Sequence, residues 1–158
     1  GHAIQPDGEL LLVGQGGIEL SSKHGGTKLD IVRREGRDVT IVGKLLTLYR
    51  ALEAADILAE QGIQAEVIDP RTLVPLDKDL ILSSVRKTGR LVIVEEDNLT
   101  GGWAAELAAI AADEAFDWLD APVKRVSAPD VPPPFAPKLE RAYVPDAARV
   151  VAAVQSLF

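Results

Sequence analysis

Glu95, Glu96 and Asp97 stand in a row where an apolar run ends. Adjacent carboxylates at such a place could bind a divalent cation or serve as acid and base, and could equally be the solvated end of a strand. Arg71, two residues after Asp69, could hold an anionic ligand. It could also form a structural ion pair with a strand-end carboxylate, for which Glu95 is the natural partner. Other chemistries are excluded by residue type. The chain has no Cys, so disulfides, thiolate zinc sites and cysteine nucleophiles are absent. Its two histidines, His2 and His24, lie near the N-terminus, where any triad or His-metal site would have to be built. Gly14-Gln15-Gly16-Gly17 precedes no helical pattern and reads as a turn rather than a phosphate cradle. No Walker A run is present, and Gly43 leads into Lys44-Leu45-Leu46 rather than a dinucleotide fingerprint.

Charge narrows the partners. Lys and Arg number 17 against 24 Asp and Glu, a net charge of −7, which argues against a nucleic-acid or anionic-membrane binder. No apolar run approaches the roughly 20 residues that span a bilayer. Between Leu91 and Val123 stand eight acids (Glu95, Glu96, Asp97, Glu106, Asp113, Glu114, Asp117 and Asp120) and no Lys or Arg. Such a one-signed stretch serves solubility or offers a docking face to a basic partner.

These residues must be positioned by regular elements. Val39–Gly43, Ala65–Asp69, Arg90–Glu95 and Val123–Val126 are short, β-branched or continuously apolar, as strands covered on both faces should be. Between them the spacing predicts helices over about 45–61, from Asp77 to Gly89, and over 103–116. In the first, Leu45, Leu48, Tyr49, Leu52, Ala55 and Ala59 are expected inward, with Gly62 ending it. Asp77 caps the second, Arg86 and Lys87 suit its last turn, and Gly89 suits a left-handed cap. Residues 129–137 hold five prolines and must be extended. Pro145-Asp146 opens a last helix expected to run to Phe158. Strand–helix alternation of this kind specifies an α/β fold: three layers, with a mainly parallel open sheet and helices on both faces. Open sheets bind ligands at the C-terminal ends of their strands, here Gly43-Lys44, Asp69 to Thr72, Glu95 to Asn98 and Ser127 to Asp130.

Residues 1–27 differ from the rest. Glu9 to Val13 and Ile18 to Leu20, joined by glycines, read as a hairpin, or else as a linker or vector-derived arm. Gly1-His2-Ala3 looks like a tag remnant. The absence of Met leads us to expect a trimmed or processed piece of a larger protein.

Several motifs resemble one family in order. They are Glu35 to Val42, Ala65 to Asp77 (with Asp69-Pro70-Arg71-Thr72), Lys87 to Glu96, Thr100 to Glu106, Phe116 to Val123, Ala128 to Pro132, and Tyr143-Val144-Pro145-Asp146. The chain over 28–158 is similar to the C-terminal transketolase-like domain in the beta subunit of thiamine-diphosphate-dependent 2-oxo acid dehydrogenases, which act on pyruvate, branched-chain 2-oxo acids or acetoin. The resemblance implies a transketolase C-terminal-like domain without catalytic, cofactor or metal residues of its own and inactive alone. The parent would carry out oxidative decarboxylation with acyl transfer to lipoyl, in the cytoplasm or, in a eukaryote, the mitochondrial matrix. In the parent, thiamine diphosphate and magnesium would be held by the preceding domain and the alpha subunit. The implied partners are the alpha subunit, a second beta subunit and the basic subunit-binding domain of the acyltransferase. For that last contact the resemblance points to Asp130 and the carboxylate of Phe158. Asp130 also reads as a turn residue capping the proline segment. The loop Gly43-Lys44-Leu45-Leu46 is more apolar than the family's usual small or polar residues. A different expectation is a small independent protein that uses Arg71, Glu95, Asp97 and Asp130 to hold an anionic or metal-bound ligand.

Overall fold

The computed structural model describes His2–Ile4, Leu10–Leu12 and residues 30–158. The first two segments, β1 and β2, pair antiparallel with His2 opposite Leu12 and Ile4 opposite Leu10. Leu10–Leu12, part of the first arm of the expected hairpin, pairs with His2–Ile4. Ile18 to Leu20, the glycine turn and His24 lie outside the described residues.

The main body continues in chain order. Strands β3 (Ile31–Arg34) and β4 (Val39–Gly43) precede helix α1 (Leu46–Glu60). Then come β5 (Ala65–Asp69), α2 (Lys78–Thr88), β6 (Leu91–Asn98) and α3 (Trp103–Glu114). A 3-10 turn (Phe116–Trp118), β7 (Lys124–Ala128), α4 (Pro137–Tyr143) and α5 (Ala147–Gln155) complete it. The sheet order is β3-β5-β4-β6-β7, parallel except for β3, which runs antiparallel to β5 at the edge. This is the expected three-layer α/β architecture.

Alternation along the strands sorts the core into two layers. Val39, Ile41, Val67, Val92 and Val94 face α1 and α5, meeting Ala51, Ala55, Leu58, Val150 and Val154. Val42, Ile68, Leu91 and Ile93 face α2 and α3, meeting Ile81, Val85, Leu107 and Ala111. Burial on both faces explains why these strands read as unbroken apolar runs. Thr40 is the polar exception inside β4. Its hydroxyl meets Ser84 Oγ at 2.6 Å and Thr88 Oγ1 at 2.7 Å, which satisfies three buried hydroxyls together.

Four local features depart from the expectations. β3 was missed because its pattern carries Arg33 and Arg34; charge suits an exposed edge strand. Leu45 and Tyr49, expected inward, are 72% and 64% exposed. Leu45 precedes the helix in a left-handed conformation (φ 51°), and the inward face begins at Thr47 and Leu48. Pro137 opens α4 instead of continuing the extended segment, the one helical position where its missing N–H costs nothing. α5 ends at Gln155, three residues before Phe158. The caps of α2 are as expected: the Asp77 side chain accepts from Leu80 N at 3.1 Å, and Gly89 closes the helix at φ 71°.

Candidate functional site

The C-terminal edge of the sheet brings together the ends of β5, β4, β6 and β7, the default ligand site of an open α/β sheet. Its two halves are built differently.

On the β6–β7 side, Glu95 is fully buried. Its Oε2 accepts from Ala104 N at 2.8 Å and its Oε1 from Ser127 Oγ at 2.7 Å. The carboxylate therefore caps α3, whose own N-cap residue, Gly102, has no side chain to do so. A Cβ on Gly102 would lie 2.5 Å from Glu95 Oε1, so the glycine is what lets the carboxylate reach the helix end. This is neither of the roles weighed from the sequence: Glu95 is not a solvated strand end, and both its oxygens are engaged inside the fold. Glu96 and Asp97 are exposed. Arg71 does not pair with Glu95 as expected; its Nε lies 3.9 Å from Asp69 Oδ2.

Asp130 lies just beyond β7 and is exposed. It accepts from Thr100 N at 2.9 Å and from Thr100 Oγ1 at 2.7 Å. The Thr100 backbone N–H first, then its hydroxyl, hold the carboxyl below the ordinary carboxylate range. Asp130 thus ties the β7 exit to the loop after β6, a long-range link rather than a cap on its own turn. Nearby, Tyr143 OH donates to Asn98 Oδ1 at 3.0 Å and Arg125 donates to Leu99 O at 2.8 Å.

Phe158 lies at the other end of the sheet. Its ring packs under the Arg90 guanidinium, 4.2 Å from the ring centroid, and Arg90 Nε donates to Leu157 O at 3.1 Å. Arg90 precedes β6 whereas Asp130 sits beyond its far end, so the two expected partner residues are roughly 25 Å apart at ~3.3 Å per strand residue. The structure does not bring them together within one copy. Of the acid-only stretch, Glu95 to Asp97 lie on β6, and the other five acids lie on α3 and in the segment after it. Glu106, Asp113, Asp117 and Asp120 are exposed, while Glu114 is bonded to Lys78 at 2.6 Å.

On the β4–β5 side the edge is open. A cavity of about 520 Å³ is lined by Arg33, Lys44, Tyr49, Asp69 and Arg71, with Leu48 and Leu73 among its apolar walls. Asp69 is 7% exposed, and burial pushes its carboxyl up despite the nearby Arg71 and Arg33. Glu95, Asp97 and Asp130 do not line this cavity. Lys44 stands at one of the strand ends expected to bind ligands, whereas Arg33 was missed because its strand went unrecognised. Among the described residues no group of three or more His, Asp or Glu is placed to hold a metal ion.

The family described as "Transketolase, C-terminal domain" matches residues 28–150. The chain belongs to this family. Among its relatives is the beta subunit of acetoin:2,6-dichlorophenolindophenol oxidoreductase from Bacillus subtilis (strain 168). It is 48% identical over 126 residues, covering 80% of this chain and 37% of that protein. The beta subunit of the pyruvate dehydrogenase E1 component from Rickettsia felis is also 48% identical over 126 residues, covering 80% and 39%. A solved structure titled "Split gene transketolase, inactive beta4 tetramer" superposes with a TM-score of 0.72 at 36% identity, covering 89% of this chain and 45% of that one. This transketolase C-terminal domain therefore spans less than two-fifths of the length of these two curated relatives.

Proposed function

We propose that the chain is the C-terminal domain of the beta subunit of a 2-oxo acid dehydrogenase decarboxylating component. It holds the assembly together and is silent in catalysis on its own. The observation that carries this reading is the 48% identity to acetoin and pyruvate dehydrogenase beta subunits across 80% of the chain. The parent reaction would be oxidative decarboxylation of a 2-oxo acid with transfer of the acyl group to lipoyl, using thiamine diphosphate and magnesium. The described residues do not fit the magnesium ion of that pair. Glu95 uses both oxygens inside the fold, Asp130 is bonded to Thr100, and the open half of the edge is cationic and suits no magnesium ion. No catalytic step is therefore assigned to this chain.

Its partners in this reading are an alpha subunit, a second beta subunit and the basic subunit-binding domain of the acyltransferase. The net charge of −7 and the exposed acids of α3 support attraction of a basic domain. Asp130 and the Phe158 carboxylate remain the proposed contacts. The location in this reading is the cytoplasm, or the mitochondrial matrix for a eukaryotic parent; relatives include bacterial and mitochondrial proteins. Among the described residues no helix is long and apolar enough to cross a membrane.

Calorimetric titration of the chain with the cognate subunit-binding domain tests this reading. Saturable heat at low salt, weakened at about 0.5 M salt where screening is strong, is expected. Asp130→Asn should weaken it further. Absence of heat at low salt contradicts the docking role.

A further inference from the structure

The cavity at the ends of β4 and β5 contains neither Asp130 nor Phe158, the two residues proposed for docking. Val42 pairs with Ile68 in the parallel β4–β5 ladder, so Lys44 and Arg71 leave neighbouring strands side by side. The antiparallel β3 places Ile31 opposite Asp69, which brings Arg33 to the same rim. Three consecutive strands of the sheet thus each deliver one cation to one concavity.

Those cations are weakly engaged. Among the described residues neither Lys44 nor Arg33 has a carboxylate within 4 Å, and Arg71 reaches Asp69 only at 3.9 Å. Lys44 Nζ instead sits 5.7 Å over the Trp103 ring. A single buried carboxylate, Asp69, faces the three positive charges, leaving a net excess of two. Lys87, Lys78 and Arg34 are paired with Glu66, Glu114 and Asp56, and Arg90, Arg125 and Arg149 donate to backbone carbonyls. The cavity also has an apolar wall of Leu48, Leu73 and the exposed Tyr49 ring. Its volume of about 520 Å³ falls in the range of small-molecule sites, roughly 300–1,000 Å³.

From this geometry we infer that the chain carries a binding site for a small organic anion, with an oxyanion headgroup held by Arg71, Lys44 and Arg33 and an apolar body lying on Tyr49 and Leu73. Guanidinium groups suit the planar oxygens of a carboxylate or phosphate ester, and the lysine adds a point charge. The left-handed Leu45 turns the chain from β4 into α1, so that Lys44 and Tyr49 both border the cavity. The site is independent of the beta-subunit reading: failure of the basic-domain titration would leave it standing, and its own failure would leave that reading standing.

The test is an NMR titration of the 158-residue chain with four probes. Phenyl phosphate and phenylacetate carry an anion on an apolar body, inorganic phosphate is the bare anion, and benzyl alcohol is the neutral body. We expect saturable shifts at the amides of Lys44, Leu45 and Arg71 with phenyl phosphate or phenylacetate, and weaker binding of the other two. Arg71→Ala and Lys44→Ala should each weaken the tighter probe about tenfold, the loss of one charge-assisted contact. Both side chains are solvent-accessible, so folding should survive, and Arg71→Lys should restore part of the affinity. Arg86→Ala, on the outside of α2, should change nothing. Shifts that never saturate, shifts centred elsewhere, or unchanged affinity in the Arg71→Ala, Lys44→Ala double variant would overturn the site. Inorganic phosphate binding as tightly as phenyl phosphate would overturn the role of the apolar wall.

Discussion

The two halves of the sheet's C-terminal edge use charge in opposite ways. On the β6–β7 side, Glu95 and Asp130 are tied into the fold by Ala104, Ser127 and Thr100. On the β4–β5 side, Lys44, Arg71 and Arg33 surround an open cavity with one weak ion pair. A topological rule that sends ligands to strand ends therefore applies to only half of this edge. The difference lies in the helix that each strand enters. β6 leads through Gly102 into a helix that needs a borrowed acceptor, whereas the first turn of α1 finds its acceptor in the backbone. The Lys44 carbonyl accepts from Thr47 N at 3.1 Å and from Leu48 N at 3.4 Å. The side chains of Lys44 and Arg71, facing the β4–β5 cavity, cap no helix.

The largest expected effect is at Glu95. Glu95→Leu would strand the Ala104 N–H and the Ser127 hydroxyl in the interior, and should cost about 3 kcal/mol in urea unfolding. A loss below about 1 kcal/mol would break the comparison, because the acid half would then not be structural. Ser127→Ala removes one of the two bonds and leaves the other, and should cost about 1 kcal/mol.

Asp130 gives a smaller, pH-dependent effect. Its folded carboxyl is held below the usual value by Thr100, so its contribution is present above the ordinary Asp pKa of about 3.9 and is lost as pH falls through the lowered folded value. Thr100→Val removes the hydroxyl bond and should move the Asp130 carboxyl back up in an NMR titration, narrowing that window.

The smallest expected effect sharpens the contrast from the other side. Arg71→Ala should change stability by no more than about 0.5 kcal/mol, since its one ion pair is long and exposed. It should also raise the Asp69 carboxyl further, because burial would then be opposed by Arg33 alone. The raised carboxyl makes ionised Asp69 a cost at neutral pH; stability from this group grows as pH falls through its raised folded value and is complete below the ordinary Asp value.

Much of the fold was legible in the residues. The parallel strands were visible because burial on both faces forces unbroken apolar runs, and α2 because Asp77 and Gly89 mark its ends chemically. β3 was hidden because an edge strand with Arg33 and Arg34 has no apolar periodicity to read. α4 was hidden by the prolines before it, although Pro137 itself is a helix-start residue. The sites were harder. Glu95 acquires its role from Ser127, 32 positions away, and from Gly102; only the paired glycines before α3 hinted that its cap must come from elsewhere. Asp130 and Phe158 were grouped by resemblance, and one-dimensional order gave no warning that β6 separates them.

The central claim is that this domain docks and supports while chemistry happens on other segments. Thiamine-dependent dye reduction with a 2-oxo acid tests it most directly, comparing the purified 158-residue chain with the full-length beta subunit assembled with its alpha subunit. The account predicts no turnover above the blank for the chain alone and robust turnover for the assembly. Turnover by the chain alone, dependent on thiamine diphosphate and magnesium, would contradict it.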